Sequence, residues 1–111
     1  MREPTFLVLT ALAGGPQHGY AVIEDVATMT HGRVRLRAGT LYAALDRLRG
    51  DGLIEVDREE VVQSRLRRYY RLSAAGAQAL AAESARLREQ AAIAERRLRG
   101  YGVSGTATPV T

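Results

Sequence analysis

The chain has 111 residues, of which 46% are apolar, and it contains no cysteine. This length and composition fit one ordinary globular unit, and they exclude disulfides, thiolate nucleophiles and zinc sites with sulfur ligands. All sixteen basic residues are arginine, the net charge is +4, and no apolar stretch is long enough to span a membrane, so we expect a cytoplasmic protein with a phosphate-bearing partner.

Three short amphipathic helices are predicted in the first half of the chain. The first begins at Pro4 and stops before Gly14, the second runs from His18 or Gly19 to Gly32, and the third runs from Ala38 to Gly50. The links between the helices are short and leave little freedom. We therefore expect the three helices to pack as one trihelical unit.

The third predicted helix, in the stretch "AGTLYAALDRLRGDGLIE", has two unlike faces. One face is apolar and suits burial, with Leu41, Ala44, Leu45 and Leu48 at helical spacing. The opposite face is small and polar and is made by Gly39, Thr40, Ala43, Asp46 and Arg47. Such a low face is typical of a helix whose backbone approaches another surface closely.

A β-hairpin is predicted after these helices. The segment "LIEVDR" alternates, with Ile54 and Val56 on one face, and "LRRYYRL" alternates again with Tyr70 and Leu72 on one face. The segment "EEVVQSR" between them is too long for a tight turn. We expect it to form a long, mobile tip.

One long helix is predicted over 73–100, followed by a loose tail over 101–111. Its small and apolar residues follow alternating spacings of three and four, which gives one narrow stripe. The stripe either docks on the domain's own core or pairs with a second copy of the chain, and we favour pairing. The predicted dimerisation residues are Leu80, Leu87, Ala91, Ala94 and Leu98.

The order of the elements predicts a mainly α fold with a small β-hairpin. Three packed helices followed by a hairpin form a winged helix-turn-helix, in which helix three enters the DNA major groove and the hairpin touches the backbone. We assign residues 1–72 to this DNA-binding domain, 73–100 to a dimerisation helix and 101–111 to a flexible tail. The low polar face of helix three fits a recognition helix.

Three segments resemble signatures of the PadR family of bacterial transcriptional regulators: "GPQHGYAVI", "GTLYAALDRLRGDGLIE" and "RRYYRLSAAG". With the spacing between them they cover residues 14–76. A single helix after the wing resembles the short subfamily. The resemblance implies a homodimeric repressor of a palindromic operator, often released by a small-molecule effector. Arg37 and Ala38 stand where the family usually has the Ser-Pro that caps helix three.

The candidate DNA contacts lie at the start of helix two, on and before helix three, and on the wing. The resemblance implies that the Tyr42 hydroxyl reaches a phosphate, although a tyrosine at the core edge is the alternative. Thr40 caps its own helix or meets DNA, and Arg47 meets DNA or pairs with a nearby aspartate. The full set is His18, Tyr20, Arg35, Arg37, Gly39, Thr40, Tyr42, Ala43, Arg47, Arg65 and Arg67.

Other classes of function fit the sequence less well. A basic RNA-binding module needs exposed aromatic residues to stack unpaired bases, and the chain has one Phe and five Tyr. A pure protein-interaction module leaves the polar face of helix three unexplained. No catalytic constellation has motif support, and His18 and His31 are too few for a metal site, so we expect no enzyme, no metal and no cofactor.

Overall fold

The computed structural model describes residues 1–102, and in this part of the chain four helices and three strands follow one another. The helices are α1 (Glu3–Ala13), α2 (Gly19–Met29), α3 (Ala38–Gly50) and α4 (Ala74–Gly100), and the strands are β1 (Gln17–His18), β2 (Ile54–Val62) and β3 (Arg65–Leu72). The predicted class, mainly α with a small sheet and a long last helix, is confirmed. The predicted tail lies outside the described residues from position 103 onward.

The apolar core lies among α1, α2, α3 and the sheet. Five of the eleven residues of α1 are buried, and the helix starts at a first turn that contains Pro4, whose fixed φ suits this position. α3 contributes the four residues of its predicted apolar face, all of them buried. The largest fully buried side chains are Leu9, Leu41, Leu45, Leu48, Ile54, Val8, Val22 and Val26.

The sheet has three antiparallel strands in the order β1-β3-β2, so the hairpin gains a strand that the sequence analysis missed. In β1, Gln17 pairs with Tyr70 and His18 pairs with Tyr69. Two residues are too few to show an alternating pattern, which explains why β1 was not predicted. The strand attaches the hairpin to the start of α2.

We call the hairpin formed by β2 and β3 the wing. Its tip is a tight turn and not the long mobile segment that we expected. Strand pairing continues to Val62 opposite Arg65. Only Gln63 and Ser64 lie between them, with φ of 51° and 64°. Two successive left-handed residues are the requirement of a type I′ turn, whose twist matches that of the strands. The sequence lacks the Asn-Gly or Asp-Gly pair that usually marks this turn.

α2 ends earlier than predicted, at Met29 rather than at Gly32. The chain leaves the helix through His31 and Gly32, which have positive φ of 53° and 79°. The Gly32 N–H donates to the Ala27 carbonyl at 2.7 Å. A left-handed glycine that closes the last turn in this way is a common helix end, and it lies three residues beyond the helix itself, which is why the glycine placed the predicted end too late.

The first turn of α4 is fixed by Ser73 and Gly76. The Ser73 hydroxyl accepts from the Gly76 N–H at 3.0 Å and donates to the Gly52 carbonyl at 2.6 Å. A Cβ at position 76 would lie 1.9 Å from the Leu53 carbonyl oxygen, so only glycine fits there. The serine acts as the N-cap that the helix needs.

The chain divides into two compact units, Met1–Leu80 and Ala81–Thr111, and the division falls within α4. In the first unit, Leu80 packs partly against the core. In the second unit, Leu87, Ile93 and Leu98 are 40%, 41% and 44% exposed. Over residues 1–102, every helix lacks the length or the apolarity that crossing a membrane requires.

Candidate nucleic-acid interface

α3 exposes the polar face that the sequence predicts. Gly39, Thr40 and Ala43 are all exposed, and a Cβ at Gly39 would meet nothing within 4 Å. The side chain of Thr40 makes no hydrogen bond within residues 1–102, and no side chain caps the start of α3, so Thr40 does not cap its own helix. The first turns of α3 therefore present backbone and small side chains that another surface can approach.

An open groove of about 830 Å³ lies beside this face, between α3, the start of α2 and the wing. We call it the wing groove. It brings together five of the eleven predicted DNA contacts, from the four elements β1, α2, α3 and β3. Its lining residues are His18, Gly19, Tyr20, Tyr42, Asp46, Val62, Gln63, Arg65, Leu66, Arg67, Arg68 and Tyr70.

Tyr42 and Tyr20 both present their rings at the wing groove. Tyr20 is 68% exposed and Tyr42 is 47% exposed. A largely exposed tyrosine presents a hydroxyl that can donate to a phosphate oxygen. The Tyr42 ring lies directly over Gly19, where an added Cβ would be 2.7 Å from the hydroxyl oxygen.

His18 has a structural role at the start of α2. Its Nδ1 accepts from the Ala21 N–H at 3.3 Å, which caps the helix. Its ring also meets the Tyr69 ring edge to face, with centroids 5.3 Å apart. Burial lowers the pKa of His18, and the positive charge of Arg67 lowers this pKa further. The capping bond requires an unprotonated Nδ1, so both effects favour the capped form.

Most arginines of the wing are neutralised by carboxylates within the wing. Arg68 donates to Glu59 at 2.9 Å, and Arg71 donates to Glu55 and Asp57. The hydrogen bond from Arg71 is the main cause that lowers the pKa of Asp57. Arg58 pairs with acids as well, and its guanidinium carbon lies 3.9 Å from the centre of the Tyr69 ring. Because each of these arginines already has a carboxylate partner, its positive charge is largely balanced within the wing.

Arg65 and Arg67 differ from the other wing arginines, because within residues 1–102 neither makes an ion pair. Arg65 is exposed beside the tight turn, and Arg67 lies directly across the strands from Glu60. Both line the wing groove. They are the wing cations that remain available to bind phosphate.

Arg47 lies outside the wing groove, on the side of α3 that faces α1. Its guanidinium donates to the Thr5 hydroxyl at 2.9 Å, and it borders a shallow cavity with Met1 and Arg2. The aspartate pairing that we considered does not occur in the described residues. Arg47 is exposed, and it lies two helical turns after Thr40.

The arginines before α3 do not act as one cluster. Arg33 forms an ion pair with Glu3 at 2.7 Å, which also lowers the pKa of the Glu3 carboxyl. Arg35 and Arg37 are exposed and make no ion pair within residues 1–102. Arg37 immediately precedes α3, where an unopposed cation is unfavourable for the helix dipole unless an anion binds nearby.

Seven residues that line the wing groove were not predicted as site residues, namely Gly19, Asp46, Val62, Gln63, Leu66, Arg68 and Tyr70. Gly19 lies under the Tyr42 ring, and Asp46 brings a carboxylate into the wing groove. Val61 and Leu66 are cross-strand partners near the wing tip and are 74% and 63% exposed. Asp46 was predicted as part of the polar face of helix three, Val61 lay in the segment predicted as a loop, and Leu66 lay in a predicted strand without a site role.

These features together define a winged-helix DNA-binding domain. A helix with a low polar face projects from a trihelical core, and a two-stranded wing with free arginines flanks it. This combination suits docking against duplex DNA, with the helix in the major groove and cations on the phosphates.

Comparison with known proteins agrees with this class. The model of the transcriptional regulator PadR-like family matches residues 8–82, which is more than half of the chain. The chain is 38% identical over 84 residues to the transcriptional regulator Rv3488 of Mycobacterium tuberculosis. This match covers 76% of this chain and 75% of that protein. The chain therefore belongs to the PadR family of transcriptional regulators, and it is a regulator and not an enzyme.

Solved structures share the fold. A PadR family regulator from Clostridium difficile superimposes with a TM-score of 0.71 at 22% identity, over 85% of this chain and 96% of that one. Bacillus subtilis PadR in complex with operator DNA gives a TM-score of 0.64 at 21% identity, over 71% of this chain and 45% of that one.

Within residues 1–102, no cluster of three or more His, Asp or Glu side chains could hold a metal ion.

Proposed function

We propose that this regulator is a repressor that binds a palindromic operator as a homodimer, with α3 in the major groove. The observation that carries the proposal is the exposed, low polar face of α3 beside the wing groove. Gly39 and Ala43 let the helix backbone approach the base edges, and Thr40 is free to contact a thymine methyl group or a phosphate. This regulator acts on the chromosome and hence in the cytoplasm.

Phosphate contacts surround the base-reading face in this proposal. Tyr42 and Tyr20 donate from their hydroxyls, and Arg65 and Arg67 contribute positive charge from the wing. Arg35 and Arg37 add charge before α3, and a phosphate near Arg37 removes the unfavourable cation at the helix start. Asp46 faces the same groove, where only the amino group of a base such as cytosine is a favourable partner for its carboxylate.

We propose further that the stripe on α4 forms the homodimer interface. Leu87 and Leu98 are 40% and 44% exposed, and the small residues Ala91 and Ala94 between them let two helices approach closely. Leu80 contributes less, because it packs partly against the core of its own unit. A twofold dimer also matches the symmetry of a palindromic site. A small-molecule effector that releases the repressor is implied by the family resemblance.

Binding experiments test the proposal against its alternatives. The parent protein is titrated with a labelled duplex from the promoter region next to its own gene, a duplex of mixed sequence, and a single-stranded RNA of equal length. We expect the promoter duplex to bind more tightly than the mixed duplex, and both to bind more tightly than the RNA. Preferential binding of the RNA supports the RNA-binding alternative, and no binding of any nucleic acid supports a protein-interaction module.

A further inference from the structure

Gly19 and Gly76 are the two helical glycines among the described residues at which an added Cβ would clash, and at Gly19 the three nearest atoms all belong to one side chain. A Cβ built at this position would lie 2.7 Å from the Tyr42 hydroxyl oxygen, 2.8 Å from Cζ and 3.0 Å from Cε1. Cβ built at Gly39 and at Gly50 meets nothing within 4 Å. The backbone at Gly19 does not have a positive φ, so the conformation does not require glycine. A Cβ at this position would instead require the outer end of the Tyr42 ring to move.

The contact joins the first residue of α2 to the exposed flank of α3. Gly19 is buried, and the ring that covers it belongs to a tyrosine that is 47% exposed. The Tyr42 hydroxyl is thereby held over the start of α2, at the wall of the wing groove. Any side chain at position 19 would push the outer end of this ring toward solvent.

We propose that Gly19 is a positioning residue for Tyr42, whose hydroxyl it holds where a DNA phosphate is bound. The DNA part of this inference rests on the proposed function, whereas the positioning of the ring does not. Gly19 need not touch DNA itself. Its substitution acts through Tyr42, because the atoms that a new Cβ would displace all belong to the outer ring of that side chain.

The first experiment measures the position of the ring without DNA. In a protein with labelled tyrosines, the Tyr42 signals are identified by their loss in Tyr42→Phe. We expect a nuclear Overhauser effect between the Gly19 Hα and the Tyr42 ring Hε protons in the parent, and a changed Tyr42 ring signal in Gly19→Ala. Gly50→Ala is the matched control and leaves that signal unchanged. No such effect in the parent, or an unchanged signal in Gly19→Ala, overturns the inference.

The second experiment is a double-mutant cycle on affinity for the promoter-region duplex. Tyr42→Phe removes one hydrogen bond and lowers affinity about fivefold. Gly19→Ala lowers affinity by a similar factor, and combining the two substitutions causes no further loss. Gly50→Ala binds like the parent. Thermal unfolding shows that each variant is folded. A second comparison measures the DNA affinity of the single variant Tyr42→Ala and of the double variant Gly19→Ala/Tyr42→Ala. Because the ring is absent from both, the new Cβ at position 19 cannot clash with it.

The outcomes separate this inference from the proposed function. Equal losses from Gly19→Ala in the presence and absence of the Tyr42 side chain mean that Gly19 acts independently, which overturns the inference. A displaced ring in Gly19→Ala, combined with parent-like DNA affinity of Tyr42→Phe and Tyr42→Ala, supports the positioning and contradicts the DNA contact of Tyr42.

Discussion

Replacement of both free wing arginines by glutamine, Arg65→Gln with Arg67→Gln, tests the electrostatic part of the account. Both side chains line the wing groove and neither makes an ion pair within residues 1–102. Neither forms a hydrogen-bonded ion pair with a carboxylate, although the charge of Arg67 contributes to the lowered pKa of Glu60 on the opposite strand. We expect weaker binding to the promoter-region duplex and to a mixed-sequence duplex alike, with the preference between the two duplexes retained.

The magnitude follows from the number of phosphates released. Each phosphate contact contributes about 0.9 to the slope of log affinity against log salt concentration, so two lost contacts lower the slope by about 1.8 for each bound protomer. Over a fourfold increase in salt, the parent then loses about twelvefold more affinity than the variant, per protomer. Fluorescence anisotropy of a labelled mixed-sequence duplex, repeated at several salt concentrations, measures this difference.

The matched control is Arg65→Lys with Arg67→Lys, which keeps both charges and is expected to keep the parent salt slope. Lysine loses the planar, two-pronged donor of arginine, so a modest loss of affinity at constant slope is expected. If the glutamine variant keeps the parent slope and instead changes which duplex is preferred, the wing reads bases. The assignment of Arg65 and Arg67 to phosphates is then wrong.

Three further predictions concern the dimer, the helix cap and the first turn of α4. The double variant Leu87→Arg with Leu98→Arg is expected to be a monomer on size exclusion and to bind DNA at the non-specific level. The reason is that each leucine contributes about 1 kcal/mol to the interface. A double variant that still dimerises refutes the α4 interface. Protonation of His18 Nδ1 removes the acceptor of the capping bond, and burial lowers the pKa of His18, so the cap is complete above the ordinary value of 6.5 and is lost as pH falls through the lowered pKa. Thermal unfolding of the parent relative to His18→Asn, which caps without titrating in this range, should show this loss on acidification, and a pH-independent difference contradicts it. Gly76→Ala lowers the free energy of unfolding in denaturant by about 1–3 kcal/mol, whereas Gly50→Ala does not. Equal stability of the two variants contradicts the close approach of residue 76 to the Leu53 carbonyl oxygen.

The sequence predicts most of the fold because its helices obey local rules. The buried face of α3 follows from four apolar residues at helical spacing, and Ser73 and Pro4 mark helix starts. The wing tip was predicted wrongly, since Gln63 and Ser64 adopt left-handed conformations without the residue types that usually announce them. Such a conformation is imposed by strand pairing on both sides of the turn.

The site could be predicted only as a set of exposed residues, because side-chain partners distant in sequence decide which of them remain free. Arg47 meets Thr5 across 42 positions, and Arg33 meets Glu3 across 30. No local pattern shows that these two arginines are engaged whereas Arg65 is not. The contact of Gly19 with the Tyr42 ring is hidden for the same reason.

The most direct test of the central claim is a titration of the isotope-labelled parent with the promoter-region duplex, followed through its backbone amide signals. We expect the largest changes at the first turns of α3, from Gly39 to Ala43, at the start of α2 and at the turn of Gln63 and Ser64. Saturation with changes confined to other surfaces, or equal changes at these positions on addition of single-stranded RNA, contradicts the claim that α3 and the wing bind duplex DNA.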